Sequence, residues 1–405
     1  MRLCLSLVAL ALVVSLAGPR ARSVVTPLPS PAGPDGGMYA LSAGADGRTY
    51  LVWIDPVPAG GHALRFSRLD DGQWSAPATI AEGANWFVNW ADHPSLTAAP
   101  DGRLFVHWLV NTGKKTGSYG YGIRVATSAD RGRTWTTAFE EGFANVSDYA
   151  GFLQFLPTSR GVDAVYLTPL HPDDGTTPEH AHVKTLGIAR FDGAGKELSR
   201  QIVDQDTCSC CSTDIAETSD GPVAVYRDHE AGEIRDISIV RFVNGRWTAP
   251  APVHRDGWVI NACPTNGPAI VADGRRVAVA WFTAANGSPQ VKVAFSTDAG
   301  RSFSPPVRID DGSPAGWPDV VLLDDGRAFV SWLEKTATGV GDVRVRRVGP
   351  EGRGEALTVA TSSSGRATGI PHMVRQGREA IVAWRQGTVK TARVALPAPP
   401  ASRQR

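Results

Sequence analysis

Apolar positions in this 405-residue chain fall into short alternating runs, and the runs belong to a recurring phrase. A turn carrying glycine precedes a run that often closes on Trp or Tyr. The phrase appears as DGRTYLVWID from Asp46, DGRLFVHWLV from Asp101, RGVDAVYLTPL from Arg160 and DGPVAVYRD from Asp220. It returns as DGRRVAVAWFT from Asp273, DGRAFVSWLE from Asp325 and GREAIVAWRQ from Gly377. Its glycines, Gly47, Gly102, Gly161, Gly221, Gly274, Gly326 and Gly377, lie 51 to 60 residues apart. Each unit holds four such runs, which in the fifth are GPAIVAD, RVAVAWF, VKVAFST and FSPPVRI. Alternation with a period of two, bounded by Gly and Asp turns, predicts short antiparallel strands.

A lone four-stranded sheet cannot bury both of its faces, whereas sheets stacked radially can, and they hide most of their edges. The expected fold is therefore all-β: a β-propeller of four-stranded antiparallel blades, seven by the repeat count, or six if one unit is irregular. The seventh unit ends after VKTARVAL without a fourth run, and residues 24–28 are available to supply it and close the ring. Trp53, Trp108, Trp281, Trp332 and Trp384 recur at one repeat position and read as blade core. His107, between Val106 and Trp108, reads the same way.

Composition narrows the setting. Lys+Arg 41 against Asp+Glu 40 gives a net charge of +1, without the concentrated positive field that nucleic acid or an anionic membrane requires. Arg2, the apolar run Leu3–Leu16 and the small residues after it read as an export signal over 1–22. A Pro-rich segment over 23–35 follows, then the propeller over 36–397 and a tail over 398–405 expected to be disordered. The apolar run is short for a membrane span and no second one follows, so no stable span is expected. The mature protein is expected in the periplasm or secreted, as a monomer. Its cysteines, Cys208, Cys210, Cys211 and Cys263, would then sit in an oxidising compartment.

Two turns add a resemblance. Ser128-Ala-Asp130-Arg-Gly132-Arg-Thr-Trp135 and Ser296-Thr-Asp298-Ala-Gly300-Arg-Ser-Phe303 look like Asp-boxes, with degraded versions at 67–74 and 244–247. Asp-boxes resemble those of sialidases and related BNR-repeat propellers, and the likeness covers nearly the whole mature chain. The resemblance implies an Arg-Ile-Pro motif gripping a substrate carboxylate. The matching segment here is Asp92-His93-Pro94, with aspartate where arginine is required. CSTDIAETSDGPVAVYRD resembles a second motif and places Arg227 on an arginine of the family's triad, but Ser212 stands at the glutamate position. Trp317, in Gly316-Trp317-Pro318-Asp319, occupies the place of the nucleophilic tyrosine. Most of the family's catalytic positions are thus replaced. A hydrolase of altered specificity would have to draw on Asp92, Arg227, Glu230, Arg235 and Asp319.

In a propeller of this kind, the residue about nine before each repeat glycine lies at the channel mouth. That rule collects Met38, His93, Phe152, the 208–212 run, 263–265, Trp317 and the vicinity of His372. His180 and His182, in the long loop one blade before the cysteines, join the same face. Thiolate, thioether and imidazole suit Cu(I) best and Zn(II) next. The expected centre is copper, with zinc as second choice, held by Cys208, Cys210, Cys211 and Cys263 and completed by His93, Met38, His180 or His182. Trp90, Arg227, Asn261, Trp317 and His372 would form a ligand-contacting rim. The partner is then a metal ion, a metal-transfer protein or a glycan. Two disulfides, Cys208–Cys211 with Cys210–Cys263, are the alternative, in which no cofactor is held and the protein is a stapled scaffold for a protein or glycan.

Overall fold

The computed structural model describes residues 25–112, 120–144, 148–171, 183–365 and 368–396. Seven antiparallel sheets follow one another along the chain, spanning 37–83, 95–141, 151–207, 214–254, 269–308, 314–363 and 372–395. These are blades one to seven of a propeller. The seventh holds only three strands of its own, and Val25–Leu28 fills the fourth place. Val25 pairs with Val394 and Leu28 with Thr391, so the two ends of the chain close the ring. The Thr391 hydroxyl also donates to the Leu28 carbonyl at 2.7 Å.

Alternation places one side of each blade against its neighbour. Trp53, Trp281 and Trp332 are fully buried, and Trp108 and Trp384 nearly so, at matching points of their second strands. His107 is fully buried against Phe155, accepting the Ser95 N–H at 3.0 Å, and burial pushes its imidazole down to about 3. Both complete Asp-boxes form as the residue types require. The Asp130 carboxylate accepts from the Arg133 and Thr134 N–H groups and from the Ser128 and Thr134 hydroxyls. Gly132 adopts φ +87°, which lets its N–H turn back to the Ser128 hydroxyl at 2.8 Å. Asp298 repeats the arrangement with Ser296 and Ser302.

Candidate metal centre at the channel mouth

The first strand of each blade lines a central cavity of about 660 Å³. Near its mouth, carboxylates tie neighbouring blades together. Asp92 of the stretch before blade two accepts the Phe152 N–H of blade three at 2.8 Å. Asp214 accepts the Ile270 N–H of blade five at 2.8 Å, and Asp319 the Met373 N–H of blade seven at 2.6 Å. Burial raises these carboxyls, Asp92 and Asp214 to about 7 and Asp319 to about 6. Gly151 makes room for the first of these contacts, because a Cβ there would lie 2.1 Å from Asp92 Oδ2. Asp92 and Asp319, expected as candidate catalytic acids, are thus occupied in holding backbone.

A second device shapes the mouth. Met38, Phe152, Thr265 and Trp317 all have positive φ, between +47° and +55°, and each stands nine residues before its repeat glycine. In blades one, three and six the first strand shifts register at this point. Trp317 is held by its indole N–H, which donates to the Thr265 carbonyl at 2.8 Å. Trp90 and Trp317, from opposite sides of the ring, meet edge to face with centroids 6.2 Å apart. Both line the cavity, as does His372.

Cys208, Cys210 and Cys211 lie on the segment linking the outer strand of blade three, which ends at Thr207, to the first strand of blade four, which starts at Asp214. The Cys208 N–H donates to the Arg227 carbonyl at 3.1 Å, which turns the segment back beneath blade four. Cys208, Cys210 and Cys211 are 1%, 8% and 2% exposed, and their sulfurs lie within 4.8 Å of one another. Cys208 Sγ is 3.9 Å from Cys210 Sγ and 2.9 Å from Cys211 Sγ. All four cysteines of the described chain are free thiols, and Cys263 is exposed.

Burial opposes ionisation of Cys208. Hydrogen bonds from the Cys210 and Cys211 thiols and the nearby Arg227 charge outweigh it and pull this thiol well below its ordinary range. Arg235 Nη1 also donates to Cys208 Sγ at 3.5 Å. Hydrogen bonding to its neighbours raises Cys210, and burial raises Cys211. The three thiols titrate as one coupled group, not as independent residues. The Cys210 thiol, opposed by burial, draws the Cys263 thiol down to about 7. Below the cluster, the Tyr149 hydroxyl donates to the Ser209 carbonyl. The Lys184 ammonium, paired with Asp148, lies 4.1 Å from the centre of the Tyr149 ring. Sequence reasoning missed these three residues because none falls on the repeat.

Several expected participants belong elsewhere. His93 and Met38 do not complete the cysteine centre. His93 Nδ1 sits 3.1 Å from His372 Nε2, and Met38 lines a small recess with Tyr39, Trp90 and His93 between blades one, two and seven. Burial lowers both imidazoles, His372 to about 3. Among the described residues, the cysteine trio is the one set of three His, Cys, Asp or Glu ligand atoms gathered this closely. His180 and His182 lie outside the described residues.

Arg227 is not a rim residue and cannot grip a substrate. It is 1% exposed, and its guanidinium donates to the carbonyls of Asn266, Arg235 and Phe282 while stacking over Trp258 at 4.8 Å. Arg235 pairs with Glu233 at 2.9 Å, and Glu230 with Arg255 at 3.2 Å. Neither supplies an acid facing Asp92 or Asp319. Asn261 is exposed beside Cys263 on the loop before blade five.

Seven four-stranded blades, Asp-box turns and a mouth built from first-strand residues define a sialidase-like β-propeller. No known protein family matches the sequence, and no curated protein does so. The similarity to solved structures is one of fold. A polysaccharide lyase of family PL25, an ulvan lyase, superimposes with a TM-score of 0.56 at 13% identity, covering 92% of this chain and 94% of that one. A protein of unknown function from Dyadobacter fermentans gives 0.53 at 13%, covering 93% and 99%. The polysaccharide lyase Uly1 gives 0.53 at 10%, covering 89% and 90%.

Proposed function

We propose that this is an exported, non-catalytic sialidase-like propeller that binds one Cu(I) ion through Cys208, Cys210 and Cys211 at its channel mouth. The observation that carries the reading is three buried thiols within 4.8 Å of one another, one of them beside a guanidinium. At a metal–sulfur distance of about 2.3 Å, three trigonal ligands stand about 4.0 Å apart. The Cys208–Cys210 separation of 3.9 Å already fits that triangle, and Cys211 needs to withdraw by about 1 Å. A soft, monovalent ion is satisfied by three sulfurs, whereas structural zinc takes four ligands. Against catalysis stand the backbone-bound Asp92 and Asp319 and the fully engaged Arg227.

The fully reduced protein should take up one Cu(I) per chain without oxygen, and a Cys210→Ser/Cys211→Ser variant should take up none. No uptake by the reduced wild type overturns the proposal. A second reading rests on the 2.9 Å approach of Cys208 and Cys211, which oxidation would close to about 2.05 Å. Under that reading, protein isolated from the export compartment carries no free thiol among these residues and binds copper only after reduction.

A further inference from the structure

We propose that the central cavity binds an organic cation of the quaternary ammonium class, seated against the indoles of Trp90 and Trp317 with Asp92 and Asp319 as its counter-charge. The inference stands apart from the copper reading and uses none of the cysteines. Each tryptophan is followed two residues later by an aspartate, in Trp90-Ala-Asp92 and Trp317-Pro-Asp319, and all four residues line the cavity. One pair lies on the approach to blade two and the other on the first strand of blade six.

The two indoles meet at 88° with their centroids 6.2 Å apart. Ring faces at a right angle form a corner, and an ammonium centre placed in it lies within about 6 Å of both centroids, the reach of a cation–π contact. The corner is fixed before a ligand arrives. The Trp317 indole N–H donates to the Thr265 carbonyl at 2.8 Å, and its backbone N–H donates to Asn266 Oδ1 at 2.5 Å. A Cβ at Gly316 would lie 2.2 Å from that same oxygen, so a glycine is required beside this grip. On the other side, the Trp90 carbonyl lies 2.5 Å from His93 Nε2. Aromatic walls held in place lower the cost of ordering the site on binding.

The wall carries the charge that a cation needs. Asp92, Asp214 and Asp319 pair with no Arg, Lys or His among the described residues. Their partners are backbone N–H groups and, for Asp92, the Tyr121 hydroxyl at 3.4 Å. Arg375, which also lines the cavity, is taken up by Asp324 and the Leu322 carbonyl, and burial lowers the His93 and His372 imidazoles. Both oxygens of Asp214 and of Asp319 already accept an N–H, so they offer negative charge rather than open acceptors. A quaternary ammonium has no N–H to satisfy, whereas a primary amine would bring donors that lose their water. The Thr97 hydroxyl is 2% exposed and has no hydrogen-bond partner, and Thr97 lines the same cavity, leaving a polar contact for the remainder of a ligand. Aspartate at 92, where the family resemblance implies arginine, gives this mouth the sign opposite to one that grips a carboxylate.

The test titrates the full chain with choline, with its uncharged isostere 3,3-dimethylbutan-1-ol and with ethanolamine, following tryptophan fluorescence and heat. Choline should bind once per chain and at least about tenfold more tightly than either of the others. Trp317→Leu keeps apolar bulk and removes the ring, and Asp319→Asn removes the charge. Each should weaken choline at least about fivefold and leave the isostere unchanged. Trp90→Leu tests the other wall should Trp317→Leu fail to fold. No binding of choline by wild type at about 10 mM overturns the inference. Equal affinity for choline and the isostere overturns it, since charge would then play no part, and equal affinity for ethanolamine overturns the quaternary class. Unchanged choline affinity in a folded Trp317→Leu or Trp90→Leu protein overturns the aromatic corner and the inference with it.

Discussion

Replacing Arg227 separates a scaffold from an enzyme. Its guanidinium is 1% exposed and donates to three backbone carbonyls from three segments: the loop after Asp228, the approach to blade five and the second strand of blade five. An Arg227→Met chain keeps most of the aliphatic packing against Trp258 and leaves those carbonyls without their donor. A buried acceptor left unsatisfied costs about 1–3 kcal/mol, and relief from burying the charge offsets part of the sum. The expected loss is about 3–5 kcal/mol of unfolding free energy, within the range seen when one partner of a buried charged network is removed. Arg227→Lys, with a point charge able to reach fewer carbonyls, should lose about half as much. Urea titrations followed by tryptophan fluorescence measure both, since Trp258 reports directly on the site. An Arg227→Met protein with unaltered stability but weakened glycan binding would refute the reasoning and reinstate Arg227 as a substrate contact.

Three further outcomes are expected. The His372 imidazole is held near 3, so below its ordinary pKa of about 6.5 the unfolded chain takes up a proton that the folded one refuses. Its contribution to stability therefore falls on acidification, and between pH 6.5 and 5 His372→Gln should lose about 2 kcal/mol less than wild type in urea melts. The Asp298 carboxyl is held down at about 2 by the Ser302 hydroxyl, opposing burial. Its stabilisation is present above the ordinary carboxyl range and lost as pH falls through about 2. Asp298→Ala should cost about 1 kcal/mol at neutral pH and flatten the acid limb of the melting curve. A chain beginning at Pro29 lacks the strand that closes blade seven and exposes the edge of Thr388–Ala395. It should melt earlier and associate on size-exclusion chromatography, because an unpaired edge invites strand addition.

The repeat made the architecture legible. Blade core positions such as Trp281 and Trp332, the Asp-box turns and the closing role of the N-terminal strand all follow from periodicity and turn chemistry. The mouth was legible as a set of positions, because the spacing from each glycine fixes where a first strand begins. Its partition was not. Met38, His93 and His372 belong to blades one, two and seven, and the cysteines lie around blades three to five, so residues sharing a rim fall on different arcs of it. Spacing also could not reveal that Arg227, at the end of a second strand, turns inward onto carbonyls. Nor could it place Tyr149 and Lys184 under the cysteines, since both depend on contacts between blades that no periodicity encodes.

The left-handed residues at the mouth have a consequence for how such a protein diversifies. Met38, Phe152, Thr265 and Trp317 share one backbone geometry while differing entirely in chemistry. Each is displayed by a local kink whose cost, on the order of 1–3 kcal/mol, is borne by its own blade's hydrogen-bonded sheet. The shared geometry sets where each side chain is presented, while contacts such as the Trp317 indole on the Thr265 carbonyl couple one socket to the next. A thioether, an indole or a hydroxyl can be tried at separate stations around the ring.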